Sequence, residues 1–112
     1  MSIHETAIVH PTASIGARAS IGAGAIIGAW ASIGTRARIS TNADVLCIAP
    51  IGRSGGCLSA YRIEGGGYEC SRGCFRGDIA ALAAEVQAIH GNDQNGREYQ
   101  AAIALIRARF DQ

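Results

Sequence analysis

Lysine is absent from this chain, and all ten basic residues are arginine. Aromatic residues make up only 5%, so a core must be built from Ile, Val, Leu and Ala. Proline occurs twice, against fifteen glycines. No apolar run approaches the roughly 20 residues of a membrane-spanning helix, which argues against a membrane protein. The formal net charge of +1 lacks the basic excess of a duplex-binding protein, so no duplex nucleic acid is expected. At 48% hydrophobic and 17% charged, the composition lacks the signature of disorder. A length of 112 residues excludes a large multidomain enzyme. Met1-Ser2-Ile3-His4-Glu5 lacks the basic and apolar regions of a signal peptide, so a cytoplasmic location is expected.

What is present is a repeat. Ile3, Val9, Ile15, Ile21, Ile27, Ile33, Ile39, Val45 and Ile51 fall every six residues without a slip. An alanine lies four residues after each of the first eight, from Ala7 to Ala49. Period six matches neither the helical 3.6 nor a long strand of period two. It matches short strands separated by tight turns. In Ala13-Ser14-Ile15 the Ala and Ile point inward and the Ser outward. Gly16-Ala17-Arg18 then turns the corner, helped by the backbone freedom of Gly.

Over residues 3–52 this pattern resembles the hexapeptide-repeat acyltransferases, whose fold is a left-handed parallel β-helix. The opening, from Ile3 to Ala13, is similar to the first coils of that superfamily's sugar-nucleotide acyltransferases. The resemblance implies three hexads per triangular coil, with coils at 3–20, 21–38 and 39–56, and assembly as a homotrimer. A prism of three coils would stand roughly 14 Å tall with open ends that need cover. Wrapped this way, Ile8 and Ile26 share an outer face with Asp44. Ser14, Ser32 and Pro50 share a second face, and Ser20, Arg38 and Gly56 a third. Trp30 and Ile48 stack on one corner, and Arg18, Arg36 and Ser54 on another, with Arg53 beside them. Ile8, Ile26, Trp30 and Ile48 form an apolar strip, expected to be covered by a neighbouring subunit or by the chain's own second half.

The pattern changes after Gly52. Cys57–Glu64 reads as a strand, Gly65-Gly66-Gly67 as a turn and Tyr68–Phe75 as the return strand. Asp78 is a good N-cap for a helix over 79–90 carrying Ile79, Leu82, Val86 and Ile89 on one stripe. Gly91 ends it, Asn92–Gly96 reads as a loop, and a second helix presents Tyr99, Ile103, Ile106 and Phe110. The expected fold is therefore mainly β: a short left-handed parallel β-helix of about three coils over 1–52, then a small α/β cap over 53–112, a β-hairpin plus two helices. The layout is also similar to that of short hexapeptide-repeat proteins from bacteriophage and prophage genomes, on Gly73-Cys74-Phe75, His90-Gly91-Asn92-Asp93 and Arg97-Glu98-Tyr99. That similarity implies no defined activity; it points to a role at the phage–host boundary, such as anti-defence.

Three chemistries can be weighed. Acyl transfer, as the first resemblance implies, needs a His base and a coenzyme A thioester. His4 and His10 read as turn residues, and His90, beside Asp93 with Arg97 and Tyr99 near in sequence, is the candidate. For metal, Cys47, Cys57, Cys70 and Cys74 complete no recognised zinc spacing and read as buried apolar thiols, so no metal is expected. For nucleophilic catalysis there is no Gly-x-Ser-x-Gly elbow, and Gly65-Gly66-Gly67 lacks the Lys-Ser/Thr of a phosphate loop. The reading that remains is a non-catalytic trimeric binding protein without cofactor. Its ligand would be small, anionic and nucleotide-like, held by residues among Arg36, Arg38, Arg53, Arg62, Arg72 and Arg76, because guanidinium forks suit phosphates and carboxylates. The alternatives are a minimal acyl-coenzyme-A transferase and an inhibitor that grips a host protein through the apolar strip.

Overall fold

The structure, a computed structural model, describes residues 1–111. Seven two-residue strands open the chain: β1 Ser2–Ile3, β2 Ile8–Val9, β3 Ser14–Ile15, β4 Ser20–Ile21, β5 Ile26–Ile27, β6 Ser32–Ile33 and β7 Arg38–Ile39. They pair in parallel with the strand three units on. Ser2 lies beside Ser20 and Ser20 beside Arg38; Ile8 lies beside Ile26, and Ser14 beside Ser32. The inward positions make one core. Ala19, Ala25, Ala31 and Ala37 are buried together with Ile21, Ile27, Ile33 and Ile39. Small Ala alternating with branched Ile fills an interior in which aromatic rings have no room.

A capped 3-10 turn, Asn42–Asp44, ends this pattern. Thr41 accepts from the Ala43 amide, and the Asp44 carboxylate accepts from the Ser40 and Thr41 amides. Beyond it the direction of pairing reverses. β8 Val45–Ile51, β9 Gly56–Arg62, β10 Tyr68–Arg72 and β11 Phe75–Gly77 form one antiparallel sheet in chain order. Ala37 bridges Ile63 in antiparallel sense, and the Glu64 amide donates to the Arg36 carbonyl, so the end of β9 docks on the repeat.

The fold is thus a small α/β protein with mixed sheets, short parallel pairs plus a four-stranded antiparallel sheet and two helices. This corrects the mainly β, three-coil left-handed β-helix expected from the hexads. The hexad spacing continues through Val45 and Ile51, yet those residues lie on one continuous seven-residue strand. Val45 pairs with Tyr61 and Ile48 with Leu58, partners that a third coil would not have. A long strand with an adjacent hairpin partner satisfies more backbone groups than two isolated two-residue strands can.

The antiparallel sheet separates two cores by the period-two alternation of β9. Cys57 and Tyr61 pack on the Ala/Ile core of the repeat, while Leu58 and Ala60 face the helices with Cys70. The helices are α1 Ile79–His90, N-capped by Asp78, and α2 Gln94–Phe110, N-capped by Asp93. Leu82, Val86, Tyr99, Ile103, Ile106 and Phe110 are buried against the sheet, but Ile89 is exposed. The second helix begins inside the expected loop. The Asp93 carboxylate accepts from the Gly96 amide at 2.8 Å, so Gln94, Asn95 and Gly96 form its first turn. Gly96 packs so closely on the Gly91 carbonyl that a side chain there would clash.

Candidate functional site

A cleft of about 320 Å³ opens where the repeat meets the antiparallel sheet. Its lining comes from three places: Trp30 on the turn after β5, Ser54, Gly55, Gly56 and Cys57 around the β8–β9 turn, and Arg72 with Gly73 at the end of β10.

Trp30 stands in a costly position. Its φ is +64°, in the left-handed region. The position six residues earlier is Gly24, also at positive φ. Both turns are tied in the same way: the Gly24 amide donates to Thr6 Oγ1 at 3.0 Å, and the Trp30 amide to Thr12 Oγ1 at 2.9 Å. A residue with a Cβ gives up ~1–2 kcal/mol in that conformation. The indole nevertheless stays 70% exposed at the lip of the cleft.

Arg72 is the cation of the cleft. It is half-buried. Its Nε donates to the Tyr99 hydroxyl at 2.8 Å, and one Nη donates to Ser54 Oγ. Its guanidinium lies over Gly56, where a Cβ would come within 2.7 Å of Cζ. Both partners are uncharged, and among the described residues no carboxylate pairs with Arg72.

Cys57, 5% exposed, lines the same cleft. Its Sγ lies 3.6 Å from Ser59 Oγ, and that hydroxyl accepts from the Ser32 amide at 3.3 Å. A hydrogen bond from the Cys47 thiol, reinforced by Ser59 and by the charge of Arg72, holds Cys57 below the usual thiol range despite its burial. Cys47 is pushed up in return, first by that hydrogen bond and then by its own burial.

The other arginines expected to hold an anion are dispersed. Arg38 pairs with Glu64 at 2.9 Å and donates to the Arg18 and Ala37 carbonyls. Arg36 lies 4.0 Å from Glu69. Arg76 donates to Ser32 Oγ at 2.8 Å. Arg62 sits 4.8 Å over the Phe110 ring and donates to the Phe110 carbonyl. Arg53 is exposed on the β8–β9 turn. Only Arg72 of the six lines the cleft.

The apolar strip is divided. Ile48 is half-buried and packs with the helical layer, whereas Ile8 and Ile26 stay 64% and 51% exposed. His90 closes α1, stacks on Tyr99 with ring centroids 5.8 Å apart, and has Nδ1 3.8 Å from Asp93. With Arg72, Phe75, Glu85, Ile89 and Tyr99 it lines a second cleft of about 260 Å³. Cys70 is buried, while Cys74, expected on a strand, is exposed in the turn between β10 and β11. Sequence reasoning missed Ser54, Gly56 and Tyr99, which reach Arg72 across 16 to 27 residues and share no motif with it. Trp30 carried a readable signal, a bulky ring at a hexad position that holds Gly one unit earlier.

Among the described residues no helix is long and apolar enough to cross a membrane, and no group of three or more His, Cys, Asp or Glu could hold a metal ion. No protein-family model, no curated protein and no solved structure matches this chain.

Proposed function

We propose that this chain is a non-catalytic binding protein for a small anionic, nucleotide-like ligand, and that the ligand occupies the Trp30–Arg72 cleft. The observation that carries this reading is Arg72: a half-buried guanidinium held by two neutral hydroxyls, with no carboxylate partner among the described residues. A half-buried cation without a counter-charge favours an anion beside it, and the planar fork suits a phosphate. Trp30 supports the second part. A bulky residue kept at positive φ with its ring in solvent is best explained by a use for that ring. A flat base stacked on such an indole gains about 1–3 kcal/mol.

The same reading takes Ile8 and Ile26 as the contact between copies of the chain in a homotrimer. Trp30 would then place the cleft beside a subunit boundary. The test combines thermal shift and Trp30 fluorescence against adenosine monophosphate, cyclic dinucleotides and coenzyme A, with sedimentation velocity for the assembly. Stabilisation by a nucleotide that Arg72→Gln abolishes is the expected result. No stabilisation by any of the three would overturn the ligand reading. A monomer at high concentration would transfer the apolar strip to a foreign protein partner.

A further inference from the structure

Cys57 lines the cleft, and Cys47 lies on the neighbouring strand behind it. Cys47 lies on β8 opposite Ser59 of β9, and Cys57 lies two residues before Ser59 on β9. The alternation of the strands puts all three on the sheet face that packs against the repeat, and both cysteines belong to that core. Cys57 Sγ lies 3.6 Å from Ser59 Oγ, and Cys47 stands directly across the strand pair from Ser59. Neither is tied up in a disulfide. Only Cys57 lines the cleft that holds Arg72. The pairing of β8 with β9 is irregular between Ile48 and Ile51, immediately after Cys47. A strand is most easily adjusted beside such an irregularity.

We infer that Cys57 and Cys47 act as a dithiol that exchanges with small anionic disulfides entering the Arg72 cleft. The inference rests on the anion reading of the cleft for its charge preference; the thiol chemistry stands apart from it. Cys57, as thiolate, attacks one sulfur of the disulfide R–S–S–R. A Cys57–S–S–R bond forms, the S–S bond of the ligand breaks, and R–S⁻ leaves with the electron pair. Cys47 then gives its proton to solvent and attacks the Cys57 sulfur. The Cys47–Cys57 disulfide forms and the second R–S⁻ leaves. Two protein thiols are oxidised, one external disulfide is reduced to two thiols, and nothing else is consumed. The chemistry of each sulfur suits its step. Cys57 is held toward the thiolate by the Cys47 hydrogen bond and by Arg72. Cys47, on the paired strand and outside the lining of the cleft, is placed for the second step.

The test uses the full chain with Cys74→Ser, which removes the exposed thiol, and the dianionic aromatic disulfide dithiobis-nitrobenzoate. The expected result is two thionitrobenzoates released per chain, and a final mass lower by two hydrogens with Cys47 and Cys57 linked in the peptide map. Cys47→Ser should stop the reaction at one release with the adduct retained on Cys57. Arg72→Gln should slow the first release about tenfold, the scale of one charge-assisted contact, and should slow it less with cationic cystamine, which loses only the help of Arg72 to the thiolate and not an attraction to the cleft. Circular dichroism on each variant verifies the fold. No release before denaturation, or an adduct that stays on Cys57 while Cys47 is present, overturns the inference. Exchange that proceeds in a chain that binds no nucleotide would sink the nucleotide reading and leave the dithiol standing.

Discussion

Arg72 Nε donates to the Tyr99 hydroxyl at 2.8 Å, and this one bond fastens the end of β10 to the second turn of α2. The Tyr99 ring stacks on His90 at the end of α1. The cation of the first cleft is thus oriented by a buried side chain of the helical layer, and Tyr99 lines the second cleft as well. Tyr99→Phe keeps the ring and removes the acceptor. The expected cost is about 1–2 kcal/mol in urea unfolding, with a weaker nucleotide response because the guanidinium is no longer aimed.

Gly56 is a test of the guanidinium's place. An added Cβ would lie 2.7 Å from Arg72 Cζ, so Gly56→Ala must displace the guanidinium. Nucleotide affinity is expected to fall about tenfold or more, the loss of a charge-assisted contact, while stability falls by about the 1–2 kcal/mol of the lost Tyr99 bond. Isothermal titration beside a thermal melt separates the two; unchanged affinity would place the anion elsewhere.

Trp30→Gly should divide stability from binding. Glycine removes the left-handed strain at φ +64° but loosens the unfolded chain, for a net gain of about 0–1 kcal/mol. Ligand stacking should vanish. A clear fall in stability would assign Trp30 a structural role instead.

Core and strip positions should respond in opposite ways. Ile33 is fully buried in the repeat, and Ile33→Ala is expected to cost about 2–5 kcal/mol. Ile26→Arg alters a half-exposed side chain on the outer face and should leave the fold intact while shifting sedimentation toward the monomer. A trimer that survives Ile26→Arg would locate the interface away from that face.

The thiols give stability two opposite slopes with pH. Burial pushes Cys70 up from 9.0 to about 12. Between those values the unfolded chain loses the proton and the folded chain keeps it. This contribution is therefore whole below pH 9 and declines as pH rises, by up to about 1.4 kcal/mol per pH unit. Tyr68, pushed up to about 12 by burial and by its hydrogen bond to Asp111, adds to the same decline above pH 10. Cys57 is shifted the other way, so its contribution is whole above the usual thiol range and is lost as pH falls through its lowered value. Urea midpoints should rise from mildly acidic pH toward 9 and fall beyond it. Cys70→Ala should flatten the alkaline limb.

Much of the first forty residues was legible because their order is local and periodic. The spacing of Ile and Ala foretold which side chains enter the core, and the three-hexad wrap implied by the resemblance set Ile8 beside Ile26 and Ser14 beside Ser32. The same spacing misled at Val45 and Ile51, where six-residue periodicity and strand alternation coincide, since six is a multiple of two. The helices were legible from their stripes and from Asp78. The start of α2 was not, because a run of Asn, Asp, Gln and Gly reads as a turn until Asp93 is seen to cap Gly96. The basic edge was legible as residues and not as charge. Glu64 and Glu69 come from beyond the hexads to meet Arg38 and Arg36.

By itself the sequence determined the local matters: which residues turn inward along the first seven strands, where the first helix begins, and that every basic residue is an arginine. The tertiary structure decided which of the arginines without a carboxylate partner faces Trp30 across a cleft. Arg72 becomes the cation of the cleft only because β10 ends beside the β8–β9 turn and under Tyr99, with Trp30 facing it from a turn 42 residues earlier. Periodicity reports burial along a strand or helix. It carries no record of which distant chain segment supplies the opposing charge, the hydroxyl or the ring, because those contacts are set by how whole layers pack.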